Sequence, residues 1–205
     1  MPIKAIIFDF GGVITHYPPF TFRKELAKFL KIDFEIVNRE VAKINPDFAK
    51  GTINEEEFWK KLTSALNIVV PEKDKKNFIT DECSRDAKIN KDVEKIVIAL
   101  KNSGYKLGII SNILEPHAKY SKVQGWFKNF SSVILSCEVG LLKPDERIYN
   151  LMLERLRLKG NECIYIDDRE VNLKPAEKVG IKTILFKNAT QLKKELINYG
   201  IRFKR

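Results

Sequence analysis

The sequence of 205 residues is poor in cysteine and histidine and contains no long apolar run. Its three cysteines, Cys83, Cys137 and Cys163, stand far apart without a CxxC pair, which argues against a disulfide framework or a zinc cage. The longest apolar stretch, residues 5–10, is interrupted by Asp9 and is far shorter than the ~20 residues of a membrane helix. We therefore expect no membrane span, no secretory leader and a location in the reducing cytoplasm.

Charge and composition exclude a disordered chain and divide the sequence into two regions. Hydrophobic residues make up 44% of the chain, enough for a packed core. Lys and Arg number 37 against 27 Asp and Glu, a net charge of +10. Residues 16–86 hold 13 basic and 13 acidic side chains, so the whole excess lies in residues 1–15 and 87–205. A basic surface permits nucleic-acid binding, but no motif for such binding is visible in the sequence. We therefore expect no nucleic-acid partner.

The hydrophobic periodicity changes along the chain. Residues 3–8 form a continuous apolar run, typical of a strand buried on both faces. From residue 16 to 86 the spacing is helical, with a capping box at Asn54–Glu57 and a weaker helix over 72–85. Gly104 stands where a helix ending near residue 102 needs its terminal glycine.

After residue 86 strands and helices alternate. Strands are predicted over 105–110, 133–137, 163–166 and 183–186, and helices over 93–100, 115–124, 145–157, 173–179 and beyond 190. Such alternation indicates a parallel sheet with helices on both faces. We predict a doubly wound, Rossmann-like α/β core, residues 1–15 and 87–205, with a small all-helical cap domain, residues 16–86, inserted after the first strand.

Polar side chains follow four of the predicted strands. They are Asp9 with Gly11 and Gly12, Ser111 with Asn112, Lys143 before Pro144, and Asp167 with Asp168. Ligands bind beyond the carboxyl ends of parallel strands, so these groups are expected to converge. Clustered carboxylates raise one another's pKa or demand a cation, and hard oxygen ligands suit Mg²⁺. A metal beside a lysine suits a phosphate oxyanion, with Asp9 as a metal ligand only or as a nucleophile as well.

These four motifs, in this order, resemble those of the haloacid dehalogenase superfamily. The motifs are Asp9-Phe-Gly-Gly-Val13, Ser111-Asn112, Lys143-Pro144 and Ile166-Asp-Asp168. The resemblance covers essentially the whole chain, since the helical segment after the first motif is similar to the helical cap of that superfamily. Residues 136–185 are especially similar to the phosphatase domain of soluble epoxide hydrolases and to bacterial sugar-phosphate phosphatases.

The resemblance implies a role for each matching residue. Asp9 would attack phosphorus and form an aspartyl-phosphate. Asp9, the Gly11 carbonyl and Asp168 would hold Mg²⁺. Ser111 would hydrogen-bond a phosphoryl oxygen, Asn112 would help to position it, and Lys143 would neutralise charge on the nucleophile and the transferring group. The Gly12 backbone would come close to the same phosphoryl group. Asp167 would orient Lys143 or a metal-bound water, and Asn172 would support the metal site from behind its ligands.

One position departs from the phosphatase pattern. Most phosphatases of this superfamily carry an acidic residue two positions after the nucleophile, where this chain has Gly11. Loss of a positioned general acid typically costs ~10²–10⁴-fold in rate. Three interpretations follow: the substrate has a good leaving group, such as an anomeric or acyl phosphate; another residue such as His16 supplies the proton; or the protein is slow or inactive.

The leading hypothesis is a Mg²⁺-dependent phosphatase of small phosphorylated metabolites, with sugar phosphates among the candidates. One alternative is a 2-haloacid dehalogenase, which uses the same Asp nucleophile without a metal. Another is a catalytically weak binding or regulatory protein with this fold, because Gly11 replaces the acid. The sequence leaves the substrate open, and it leaves open whether the chain is a monomer or a homodimer.

Overall fold

The computed structural model of the protein describes residues 2–17 and 20–203. Its strands are β1 (Ala5–Phe8), β2 (Thr15–His16), β3 (Lys88–Ile89), β4 (Lys106–Ser111), β5 (Ser132–Leu135), β6 (Cys163–Asp167) and β7 (Lys182–Leu185). Five of them form one sheet in the order β5-β4-β1-β6-β7, and every neighbouring pair is parallel. Strands β2 and β3 pair with each other as a short antiparallel ribbon.

Eleven α-helices accompany these strands within the described ranges. They are α1 (Thr21–Leu30), α2 (Phe34–Lys50), α3 (Glu55–Leu66), α4 (Glu72–Lys75), α5 (Phe78–Asp86), α6 (Lys91–Asn102), α7 (Glu115–Val123), α8 (Ser136–Val139), α9 (Glu146–Leu156), α10 (Glu170–Lys178) and α11 (Ala189–Asn198).

Helices cover both faces of the sheet, which confirms the predicted doubly wound α/β fold. On one face, Ile6 and Phe8 of β1 share an apolar cluster with α6 and α11. On the other face, Ala5 and Ile7 share a second cluster with α9 and α10. This alternation follows from the two-residue period of a strand, and it explains why β1 is apolar at every position.

Strands β4 and β5 lie on one side of β1 and strands β6 and β7 on the other, so the strand order reverses at β1. Phe8 pairs with Ile109 of β4 on one side and with Ile166 of β6 on the other. The carboxyl ends of these three strands therefore lie side by side. A crevice opens outside the sheet at such a switch point, where doubly wound folds bind their ligands.

Helices α1–α5 lie between β2 and β3 in the chain, and we call them the helical insert. They bury an apolar cluster of their own, built around Leu26, Val41, Phe58 and Leu62. Leu114, from the segment between β4 and α7, also packs into this cluster. The division into two domains at residues 16 and 86 stays a prediction.

Some predicted helices and strands agree with the structure, and others differ from it. The capping box of α3 is confirmed, because Asn54 and Glu57 exchange hydrogen bonds through their side chains and backbone N–H groups. The weak helix over 72–85 is two helices, α4 and α5, and the long helix α2 was not predicted as a separate element. The strand predicted to end at residue 137 ends at Leu135, because α8 begins at Ser136.

None of the described helices combines the length and the apolar character that a membrane crossing requires.

Candidate active site

Asp9 follows β1 directly and occupies the centre of the carboxyl edge of the sheet. Its backbone N–H donates to the Ile166 carbonyl at 2.7 Å, which continues the ladder with β6. Its Oδ1 accepts from the Phe10 N–H at 2.6 Å and from the Lys143 ammonium at 2.7 Å. Across the part of the chain that the structure describes, no hydrogen bond reaches Oδ2. The side chain is therefore held through one of its two carboxylate oxygens.

Lys143 links the two sides of the site. Its Nζ lies 2.7 Å from Oδ1 of Asp9 and 2.8 Å from Oδ2 of Asp167. The residue is only 5% exposed. Burial lowers the pKa of Lys143, but the charges of Asp9 and Asp167 outweigh it, and the net shift is upward. The lysine is thus a buried ammonium held between two carboxylates.

Asp167 is completely buried, and its two oxygens are occupied. Besides Lys143, the donors are the Tyr165 hydroxyl to Oδ2, the Arg169 N–H to Oδ1 at 2.8 Å, and the Asn172 amide at 3.0 Å from each oxygen. Burial raises the pKa of Asp167, but Lys143 and these hydrogen bonds lower it below its usual value. A carboxylate with this many donors is committed to positioning Lys143 and has little capacity left for a metal.

Asp168 completes a group of three carboxylates. Asp9, Asp167 and Asp168 each offer an oxygen within 4.8 Å of the others. Burial raises the pKa of Asp168, and the charge of Asp167 raises it further. Burial is also the largest cause that raises the pKa of Asp9 to about 7, and both other carboxylates act in the same direction. With all four groups ionised, the carboxylates and Lys143 sum to −2, the charge that one divalent cation balances.

The backbone beside Asp168 leaves space that a side chain would fill. Gly12 has a φ of +84°, and a Cβ there would lie 2.4 Å from Oδ2 of Asp168. A Cβ at Gly11 would meet nothing within 4 Å. This opening and the hard oxygen donors fit Mg²⁺. Because Asp167 is committed to Lys143, Asp9 and Asp168 are the carboxylates that fit as ligands.

The second motif supports Lys143. Ser111 is the buried last residue of β4, the strand that pairs with β1. The side chain of Asn112 forms two hydrogen bonds with the backbone of Lys143, donating to its carbonyl at 2.9 Å and accepting from its N–H at 2.8 Å. The sequence analysis gave Asn112 a role on the phosphoryl group. In the structure its side chain holds the lysine segment, and the role on the phosphoryl group stays a prediction.

Of two further predicted residues, Asn172 contacts this network and His16 does not hydrogen-bond to Asp9 within the described residues. Asn172 contacts Asp167, and its backbone carbonyl accepts a hydrogen bond from the Tyr149 hydroxyl at 2.7 Å. His16 is exposed on β2, opposite Lys88 of β3. Within residues 2–17 and 20–203, no hydrogen bond or ion pair joins His16 to Asp9.

Sequence reasoning missed Tyr165 and the Arg169 N–H. Tyr165 precedes Asp167 by two residues on β6, so both side chains project from the same face of the sheet. A tyrosine in an otherwise aliphatic strand, two residues before an aspartate, was a signal that could have found this contact. The Arg169 contact depends on the turn after β6, and the residue types give no indication of it.

Known proteins share this fold and are similar to this chain in sequence. Residues 3–180 match the family model described as haloacid dehalogenase-like hydrolase, so the chain belongs to that family. This confirms the predicted family.

Three relatives illustrate the similarity. Bifunctional epoxide hydrolase 2 of Mus musculus is 32% identical over 96% of this chain, which spans only 38% of that protein. Glyceraldehyde 3-phosphate phosphatase of Methanocaldococcus jannaschii is 30% identical, over 89% of this chain and 84% of its own. The magnesium complex of the family enzyme bt-2542 from Bacteroides thetaiotaomicron superposes with a TM-score of 0.73 at 25% identity, covering 91% and 94% of the two chains.

The raised pKa of Asp9 predicts a pH-dependent effect of Asp9→Asn on the metal-free protein. Folding favours the protonated carboxyl, so Asp9 is not destabilising near pH 4, becomes destabilising as pH rises to about 7 and remains so above it. Asp9→Asn should therefore raise the melting temperature in EDTA by several degrees at pH 8 and clearly less at pH 5, where only part of the destabilisation has developed.

Thermal unfolding at both pH values measures this effect. Asp92→Asn is the control, because hydrogen bonding to Lys95 lowers the pKa of the exposed Asp92, and removal of its charge should not stabilise at high pH. Equal melting shifts for Asp9→Asn at pH 5 and pH 8 would contradict the assignment.

Proposed function

We propose that the protein is a Mg²⁺-dependent phosphatase of small phosphorylated metabolites, sugar phosphates among them, and that it works through an aspartyl-phosphate on Asp9. The observation that carries the proposal is the state of Asp9, with Oδ1 held by Lys143 and Phe10 and Oδ2 free. The relative named as a glyceraldehyde 3-phosphate phosphatase supports the same chemistry.

In the first proposed step, Oδ2 of Asp9 attacks phosphorus. The bond between phosphorus and the leaving oxygen breaks, and the leaving group departs with that electron pair and takes up a proton from solvent. Water then attacks phosphorus, the bond to Oδ2 breaks, and Asp9 is regenerated with release of inorganic phosphate. Two in-line displacements of this kind divide one difficult hydrolysis into two easier steps.

The surrounding residues position charge for these steps. Lys143 favours the ionised form of Asp9 and orients its carboxylate, and its ammonium stabilises negative charge that develops on the phosphoryl oxygens. The Ser111 hydroxyl, at the adjacent strand end, is proposed to donate to a phosphoryl oxygen. Asp9, Asp168 and the Gly11 carbonyl would hold Mg²⁺, which when bound supplies further charge neutralisation to the phosphoryl group.

The helical insert is proposed to act as a cap over this edge of the sheet. Its connections β2 and β3 pair with each other beyond the loop of Gly11 and Gly12, so the insert begins close to the nucleophile in the chain. Substrate selection is expected to reside in the insert, because residues that close over a site decide what fits beneath it.

Turnover of p-nitrophenyl phosphate tests the proposed function. We expect release of phosphate with Mg²⁺ and little in EDTA, and Asp9→Asn should lower kcat on the order of 10³-fold or more because the nucleophile is lost. Asp92→Asn, at an exposed site, should behave as wild type. Full activity of Asp9→Asn would refute the mechanism, and chloride release from a 2-chloroacid in EDTA would favour a dehalogenase instead.

The open space at Gly11 predicts a gain of function. Asp fits there, since a Cβ at Gly11 meets nothing within 4 Å, and it would supply the general acid that this chain lacks. Gly11→Asp should raise kcat for alkyl phosphates by about 10-fold or more and change kcat little for p-nitrophenyl phosphate, whose leaving group needs no proton. Gly11→Asn, nearly isosteric but not acidic, is the control. An equal gain from both variants would exclude acid catalysis as its source.

The exposed position of His16 predicts that it is not the substitute acid. His16→Ala should change kcat for alkyl and aryl phosphates by the same small factor, whereas loss of a general acid slows the poor leaving group selectively. The ratio of the two kcat values measures this. A selective fall for alkyl phosphates would assign the role to His16.

A further inference from the structure

A buried hydroxyl joins the helical insert to the segment that carries Ser111 and Asn112. Ser136, the first residue of α8, has no exposed surface. Its Oγ accepts from the Ile113 N–H at 2.9 Å and donates to the Ala49 carbonyl, in the last turn of α2, at 2.6 Å. Residues 87 positions apart in sequence therefore meet at one atom, between the insert and the edge of the sheet.

We propose that Ser136 is a positioning residue, whose hydroxyl couples the placement of the helical insert to that of the segment 111–114, and thereby to Ser111 and Asn112. The kinetic part of this proposal rests on the proposed phosphatase function. The structural part does not.

The geometry provides the hydroxyl with a second acceptor. The Ile113 carbonyl lies 3.3 Å from Oγ, whereas the Ala49 carbonyl lies at 2.6 Å. A hydroxyl has one proton, so it donates to one of these carbonyls at a time. If α2 withdraws, Ser136 can turn its proton to Ile113 and remain hydrogen-bonded. The contact with the insert can thus break without leaving the buried hydroxyl proton unpaired.

Backbone packing at the same place independently supports the coupling. Gly51 ends α2 with a φ of +71°, and a Cβ there would lie 2.3 Å from the Cys137 carbonyl. The end of α2 therefore lies directly on the backbone of α8, closer than any other residue type allows.

The segment after β4 touches the insert at two more points. Leu114 is 6% exposed and packs in the apolar cluster of the insert. Farther along, Nε2 of His117 lies 3.3 Å from the buried Glu82 carboxylate of α5, which also accepts from the Tyr17 hydroxyl at 2.6 Å. The segment that carries Ser111 and Asn112 is thus held to the insert over several residues, with Ser136 nearest to the motif.

Hydrogen exchange in the metal-free protein tests the coupling from both sides. Ser136→Ala should speed exchange at residues 49–53 of the insert as well as at 111–114. Gly51→Ala, which changes only the insert, should also speed exchange at 111–114. Loss of protection on only the mutated side, in either variant, would overturn the proposal.

Two control variants match these substitutions. Ser132, at the start of β5, is buried like Ser136, but its hydroxyl has no hydrogen-bond partner among the described residues. Gly125 has a φ of +68°, and a Cβ there meets nothing within 4 Å. Ser132→Ala and Gly125→Ala should leave both segments protected. If Ser136→Ala does not fold, the comparison of Gly51→Ala with Gly125→Ala decides the question.

Kinetics separate positioning from general destabilisation. Below its melting temperature, Ser136→Ala should lower kcat for p-nitrophenyl phosphate by about 10-fold, since small displacements of positioning groups are costly, while Ser132→Ala stays within about two-fold of wild type. Unchanged kcat with a lower melting temperature would reduce Ser136 to a structural role and overturn the proposal. If the wild type hydrolyses no phosphate ester, the proposed function fails and the exchange experiments alone decide the coupling.

Discussion

The ammonium of Lys143 lies buried between the carboxylates of Asp9 and Asp167, and the carboxyl edge of the sheet depends on this contact. Without the lysine, two carboxylates would be buried close together with no positive charge, and leaving buried charges unpaired in this way costs about 3–5 kcal/mol. Asn112 fixes the backbone of Lys143, and Asn172 and Tyr165 fix Asp167. Residues from three strand ends thus hold a single charge in place.

This arrangement divides the acidic residues by task. Asp167 is saturated with donors and serves the lysine, whereas Asp9 and Asp168 carry raised pKa values that a divalent cation would relieve. Raised pKa values of this kind fit a divalent cation, because the same burial that disfavours the bare charges strengthens their attraction to a cation.

The helical insert meets the sheet through buried polar contacts as well as apolar packing. The Ser136 hydroxyl and the carboxylate of Glu82 both lie where the insert contacts the segment after β4. Buried polar groups restrict the alternatives that a packed interface can adopt, since each needs its partner at a defined distance. These contacts give the insert a defined position relative to Ser111 and Asn112.

Much of the fold and most of the candidate site could be predicted from the sequence. The apolar run before Asp9 predicts a buried central strand, and the later alternation of strands and helices predicts the parallel sheet that brings Asp9, Asp167 and Asp168 together. These inferences succeed because strand periodicity and parallel topology place residues by chain order alone. The start of α8 at Ser136 was predicted wrongly as strand, because a short apolar run does not show where its backbone turns.

Only the tertiary structure decided which groups contact one another. It assigned Asn112 to the backbone of Lys143, gave Asp167 its donors Tyr165 and Asn172, and brought Ala49 to Ser136. The sequence by itself determined the sheet, its order of chemistry-bearing strand ends and the family to which they belong. The hydrogen-bond partners could not be predicted from the sequence. A hydrogen bond depends on distances of a few tenths of an ångström, and packing between segments far apart in the chain sets those distances.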